Sequence, residues 1–399
     1  GTVEFNGGAD QAFAQHASAN FYNLTINNSS YDADAGSNFA VTGGLTVTAG
    51  ELDISTYTAT VTGASDVNGT LTIPTGTYDA NGNFDGTSGN VTFTGSGTLN
   101  LAGTVTSLGT FTSASGSKVH YDGTSAQTIV AASAKSASYE DLEISGSDKT
   151  LGGNTTVNDD LTFSSDHDII TGGNTLTLKK TPTGYTDSRL IRRASSSDAV
   201  SVRYSSSSTT QCIIPLGIDG DLREIGITPA SASAETYTAV YTPGTPYNSG
   251  TLDWNATGGT GSPIESGSGV AHVNNHYYYD VSRSNSVNAT LMLKFSGLTE
   301  PASNSDKFVL HWDGSEWDKL TSTGGSGQVT ALATSFSPFA QGSGGNALPI
   351  DLVSFSGNCN KNQTEIQFVV ASQINNDYFT IERSADNQNW TTIGEIPGI

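Results

Sequence analysis

"FYNLTINNSS", residues 21–30, and "SYEDLEISGS", residues 138–147, are one line written twice, more than a hundred residues apart. Each carries an aromatic residue in its first two positions, continues as a short alternating strand and ends in a polar turn. Working outward, "VEFNGGADQAF" from Val3 falls on "VHYDGTSAQTI" from Val119, and "VTGGLTV" from Val41 falls on "VNDDLTF" from Val157. The offset drifts from 116 to 118 through small insertions, so about 1–63 and 117–180 are two copies of one module. Between them lie smaller echoes, "NGTLTI", "GNVTF" and "SGTLNL", at intervals of roughly a dozen to two dozen residues, the range of a single solenoid rung.

In Leu45-Thr-Val47-Thr, Leu71-Thr-Ile73 and Val91-Thr-Phe93 the apolar residue alternates with Thr, which puts one side of each strand inward and the other in water. One such strand cannot bury its apolar side alone. Stacked about 4.8 Å apart, many can, because their inward side chains merge into one core. The expected fold is therefore all-β: a parallel β-helix (solenoid) of roughly nine rungs over 1–180, a rod on the order of 40 Å long. Gly and Asn at the corners are read as suppliers of positive φ. The alternative is a set of antiparallel hairpins turning at Asn68-Gly69 and Asn81-Gly82.

Composition agrees with a turn-rich β protein: 46 of 399 residues are Gly and only 14% are charged. The formal charge of −22 argues against nucleic acid and anionic membranes, which need clustered Lys and Arg. No apolar run is long enough to span a bilayer. Cys212 and Cys359 are far apart, which suits two separate, half-buried thiols rather than a disulfide framework or a metal motif. With neither an initiator Met nor a signal peptide, the chain reads as processed or as part of something longer.

Four chemistries bear on such a rod. A polysaccharide lyase needs Lys or Arg for its carbanion, and 1–117 holds neither. A β-helix hydrolase needs paired carboxylates on one face, and the acids in "YDADAG" and "GASDVNG" read as turns. Asp166-His167-Asp168 is the most suggestive trio, within a single turn. "YDANGNFDG" places Asp79, Asn81, Asn83 and Asp85 like calcium-loop oxygens, but Phe84 stands where such a loop needs Gly and Asn90 where it needs Glu. No cofactor is expected; calcium is the one ion with any motif. Ice binding would use outward Thr rows, with candidates Thr46/Thr48, Thr58/Thr60/Thr62, Thr92/Thr94 and Thr110/Thr112. Solvent-facing strands favour Thr in any case.

Composition shifts at "KKTPTGYTDSRLIRR", 179–193. Residues 181–345 then carry nine or ten short, unrepeated strands, the pattern of an antiparallel β-sandwich. "HWDGSEW" reads as a hairpin turning at Asp313-Gly314. Its Trp312 and Trp317 either anchor the core or offer a platform to a glycan. His272 and His276 have helical metal spacing inside a strand-like segment, which disfavours zinc.

Residues 346–399 contain "LPIDLVSF", "ASQINNDYFTIERS" and "NWTTIG". Over about fifty residues this stretch resembles the fibronectin-type module near the C-terminus of Bacteroidetes proteins exported by the type IX secretion system. "FYNLTINNSS" and "IPLGIDGDLREIGITP" are similar to the rungs and sandwich of large adhesins in that group. The resemblance implies an extracellular, surface-displayed, adhesive protein, the secretion machinery as a partner, and no transferable catalytic residue. About four strands are expected here, at 350–356, 364–370, 378–384 and 391–396, fewer than the roughly seven of a closed sandwich. An open first rung and a part-built last sheet suggest either further chain or a second copy joined head to tail into a filament. The sequence thus predicts a non-catalytic structural or adhesive rod that meets surface glycans or a substratum. A carbohydrate-active β-helix enzyme and an ice binder are the alternatives.

Overall fold

The computed structural model describes the chain apart from residues 17–18, 132–137, 196–198, 219, 245–263, 266, 275, 297, 299–300, 302, 345–350, 361–362, 373–377, 386–388 and 398–399. For 351–353, 359–360, 363 and 370–372 it gives the backbone alone.

The amino-terminal half is a parallel β-solenoid of about nine turns, as the alternation and the repeat predict. Each turn visits three faces in order. In the third turn, the first half of Leu45–Asp53 lies on face one, its second half on face two, and Thr58–Val61 on face three. Register is held from turn to turn: Leu24, Leu45, Ser65, Phe84 and Val105 stack on face one. Ala33, Leu52, Leu71, Val91 and Phe111 stack on face two. Phe39, Ala59, Tyr78, Leu99, Val119, Leu142 and Leu161 stack on face three. Almost all are buried, because a one-residue slip of any strand would turn its whole apolar set to water. The hairpin alternative is excluded: Asn68-Gly69 and Asn81-Gly82 join strands whose ladders are parallel.

The corners work differently from the expectation. Among the described residues the only non-glycine with positive φ is Ser55, so the corner asparagines do not supply it. They reach along the rod and cap the next turn. Asn23 Oδ1 accepts from Gly44 N at 2.9 Å, Asn38 Oδ1 from Thr58 N at 2.9 Å, Asn83 Oδ1 from Thr104 N at 3.1 Å and Asn154 Oδ1 from Thr175 N at 2.9 Å. Each satisfies an amide that the corner removes from the ladder.

The two copies of the module share these details. Gln11 Oε1 accepts from Gly7 N at 2.8 Å, and Gln127 Oε1 from Gly123 N at 2.9 Å. Phe21 bridges Val41 as Tyr139 bridges Val157. The ladder from Thr2–Phe5 to Asn23–Ala35 matches that from Lys118–Tyr121 to Asp141–Ile144. Yet the first ladder lies on face one and the second on face three. The second copy starts five turns and two faces later, so its outer surface is rotated by one face about the rod.

Composition changes near 180, but the sheets do not break there. Ile191–Arg192 continues face one in parallel and pairs with Cys212–Ile218, whose other edge takes Asp221–Pro229 antiparallel. Val200–Ser206 continues face two in parallel from Leu176–Leu178 and takes Glu235–Pro243 antiparallel. Two faces of the solenoid thus become the two sheets of the sandwich. One buried apolar cluster runs through both, from Phe13 to Phe339. Beyond it, Asp351–Asn360 pairs with Gln363–Ser372, and Tyr378–Ser384 with Trp390–Pro397. The two hairpins touch through Phe368 and Phe379, whose ring centroids are 4.9 Å apart.

Candidate functional site

The faces bring together outward side chains that lie one turn apart in sequence. On face two, Asp32 pairs with Glu51 and Asp34 with Asp53. Four half-buried carboxylates therefore form a two-by-two array on adjacent strands. Burial pushes the Asp34 carboxyl above its ordinary value, and so do Asp53, Asp32 and Asp10. Glu51 is likewise raised by burial and by Asp32, Asp53 and Asp34, against a hydrogen bond from Thr72. No Lys or Arg occurs in residues 1–117 to relieve the repulsion. The array was missed in the sequence because "YDADAG" reads as a turn. Its signal is two acid-x-acid pairs separated by one turn length, 32/34 and 51/53.

Above the array, the same two columns carry Thr70/Thr72, Asn90/Thr92 and Thr110/Thr112. The Thr candidates for ice binding are divided among the faces: Thr46 on one, Thr58 and Thr60 on three, and Thr92, Thr110 and Thr112 on two. They do not form one plane.

The Asp166-His167-Asp168 trio joins a lattice of charge that spans turns. Asp148 Oδ1 accepts from Asp168 N at 3.0 Å, and Asp168 Oδ1 from Leu190 N at 3.0 Å. Arg192 ties both acids, with Nη2 2.8 Å from Asp148 Oδ2 and Nε 2.5 Å from Asp168 Oδ2. Burial pushes Asp168 upward, opposed by the Arg192 and Leu190 hydrogen bonds. Arg189 holds Asp166 at 2.7 Å. Carboxylates so engaged join turns to one another.

On face three, His120 Nε2 lies 2.8 Å from Ser145 Oγ. A nucleophilic relay needs an acid on the other ring nitrogen. Glu143 instead lies 3.9 Å from the same Nε2 and is held by Lys118 at 2.9 Å and by Ser164.

Among the described residues, Asp141, Asp159 and Asp160 form the one acidic trio with ligand oxygens within 4.8 Å of one another. Lys180 occupies it, bridging Asp159 and Asp160. The calcium-loop candidates make local bonds. Asp79 accepts from Asn81 at 3.2 Å, Asp85 from the Thr87 amide and hydroxyl, and Asn83 caps Thr104. Trp312 and Trp317 form a cross-strand pair at the predicted hairpin, 7% and 0% exposed, with ring centroids 5.5 Å apart. Both rings are core, so neither offers a stacking surface to a sugar. His272 lies in a strand and His276 is exposed. Cys212 is a free thiol, buried and pushed up to about 12 by that burial, hence inert; the side chain of Cys359 lies outside the described residues.

Where face two meets the sandwich, Lys179, Ser205–Ser208, Thr236 and Asn285 line a cavity of about 410 Å³. At its floor Glu235, 2% exposed, accepts from the Ser284 hydroxyl at 2.7 Å and from the Thr236, Ser284, Asn285 and Val287 amides at 2.8–3.0 Å. Burial opposes its charge, but these bonds prevail and hold the carboxyl at about 2. An apolar groove of about 270 Å³ lies between the last two hairpins, lined by Phe355, Phe368, Phe379, Ile381 and Trp390.

Comparison with protein families, with curated proteins and with solved structures finds no match for this chain. Fold and surface define its class: an all-β solenoid continued by sandwich sheets, with polar and acidic side chains on the outer faces. Among the described residues, no helix is long and apolar enough to cross a membrane.

Proposed function

We propose that the chain is a non-catalytic, extracellular structural and adhesive rod, displayed on a bacterial surface. One observation carries the reading: the core is unbroken from Phe13 to Phe339, through the solenoid and into the sandwich. Sheets that pass from one architecture to the other without a hinge resist bending. They hold rows of Thr, Ser and Asn outward in fixed register, a surface suited to hydrogen-bonding glycans. Surface display rests on the resemblance of residues 346–399 to the type IX export module. Assembly into filaments belongs to the same proposal, supported by the sheets of the last module, each of two strands among the described residues, since strand edges left open invite pairing with another chain.

The test is electron microscopy of the purified protein beside adhesion to polysaccharide-coated surfaces. Straight rods or filaments that adhere are expected. Compact particles, or protein that adheres to nothing, would refute the proposal.

The array of Asp32, Asp34, Glu51 and Asp53 supports a second reading, a β-helix glycoside hydrolase. The paired acids stand on strands about 4.8 Å apart, a backbone spacing close to the carboxylate separation of retaining enzymes. The Glu51→Gln substitution decides it. Release of reducing sugar by the native chain, abolished in the variant, would replace the adhesive reading with the enzymatic one.

A further inference from the structure

The junction between solenoid and sandwich carries a strip unlike the rest of the acidic surface. Outward-facing Thr156, Thr177, Arg203, Thr238 and Ser282 lie in register across five adjacent strands. Beside this row, Lys179 follows the Leu178–Tyr204 pair and so flanks Ser205, which pairs with Thr236. Lys179 and Arg203 sit diagonally on neighbouring strands, roughly 8 Å apart by strand spacing and rise. Both are exposed. Other cations of the shaft are taken: Lys118 by Glu143, Lys180 by Asp159, Arg189 by Asp166 and Arg192 by Asp148 and Asp168. Lys179 and Arg203 have no carboxylate within ion-pair distance among the described residues. Glu235, the acid that lines the same cavity as Lys179, is sealed by its own hydrogen bonds.

The geometry points to this strip as a binding site for an acidic polysaccharide of the uronate class. The inference rests on the adhesive reading and gives it a place and a ligand. Lys179 and Arg203 would take sugar carboxylates, and the hydroxyls of Ser205, Ser207 and Thr238, with Asn285, the sugar hydroxyls. The hydroxyl row repeats at the interstrand spacing of about 4.8 Å, close to the rise of one sugar unit along an extended polysaccharide. A chain running across the strands would thus meet a polar group at each unit. The adjoining cavity of about 410 Å³ falls in the range of small-ligand sites and would hold a side branch or a chain end. The overall charge of −22 does not forbid this, because beyond about 8 Å at physiological salt it is largely screened. Asp280, outward on the strand that carries Ser282, limits the strip on one side.

The test is calorimetric titration of the full chain with oligogalacturonate, with a neutral galacto-oligosaccharide and with polyphosphate, at low and high salt. Salt-sensitive binding of oligogalacturonate alone is expected, about ten-fold or more weaker in the Lys179→Ala/Arg203→Ala variant and largely retained in Lys179→Arg/Arg203→Lys. An unchanged thermal transition would show that both variants fold. Absence of oligogalacturonate binding, equal binding by the alanine variant, or equal affinity for polyphosphate would each overturn the site. Native protein that adheres to neutral polysaccharides while ignoring oligogalacturonate would overturn the site and leave the adhesive reading standing. Native protein that adheres to no glycan would remove both.

Discussion

Lys149 points into the shaft, where the first copy of the module carries Ala33 at the same place. Ala33 pairs with Gln11, and Lys149 with Gln127. The lysine is 0% exposed and donates to Gly123 O at 2.9 Å and Ser147 Oγ at 2.8 Å. Burial lowers its ammonium from 10.5 to about 8, although Asp122 and Asp148 pull the other way. Between those values the unfolded chain binds the proton more tightly than the folded one, so stability should rise with pH from about 8 to 10.5. The gain is on the order of 3 kcal/mol. Lys149→Met should abolish the rise and leave the protein more stable at neutral pH. Chemical denaturation across that range checks it, and a flat profile in the native chain would refute it. In "GSDKTLGG" the alternation with inward Leu151 puts Lys149 on the inner side, against the ordinary reading of a lysine as solvent-facing. Only the structure supplies the partners that make an inward lysine tolerable, Gly123 O and Ser147 Oγ.

At the scale of the element, the repeat is governed by close approach at the corners. Gly43, Gly63, Gly82 and Gly103 stand one above another, each a turn apart. A Cβ on Gly63 would lie 2.3 Å from Gly43 O, one on Gly82 2.2 Å from Gly63 O, and one on Gly103 2.3 Å from Gly82 O. No side chain fits such a column without moving the backbone of the turn before it. Gly63→Ala should therefore cost about 1–3 kcal/mol, whereas Gly8→Ala, with nothing within 4 Å, should cost little. Thermal melts of the two variants make the comparison, and equal transitions would show that the corner yields. The spacing of these glycines was legible in the sequence. Their role was not, because a glycine kept for room and one kept for positive φ are the same letter.

For the whole molecule, the shared core has a consequence for cooperativity. Stacked repeats can unfold piecemeal when neighbouring interfaces are weak. Here two sheets run on into the sandwich, and Leu142 in the shaft belongs to the same buried cluster as Phe339. Leu142→Ala should cost about 2–5 kcal/mol. It should lower together the far-ultraviolet transition and the tryptophan fluorescence transition, which reports on buried Trp312 and Trp317 in the sandwich. Separate transitions, with only the first displaced, would mean that shaft and sandwich fold as independent units. The sequence suggested a boundary near 180 because charge and repeat both change there. The strands themselves carry no sign of it, since parallel or antiparallel pairing depends on which edge a strand meets.

The amino-acid sequence by itself determined the class of fold, the inward and outward side of nearly every strand, the turn length and the duplication, because each is a local period written along the chain. Tertiary structure alone decided that the second module copy is turned by one face, that acids nineteen residues apart become neighbours, and that solenoid and sandwich share one core. These depend on how many residues close each turn and which strand edge is left free, quantities that sum over the whole winding and are stored at no single position.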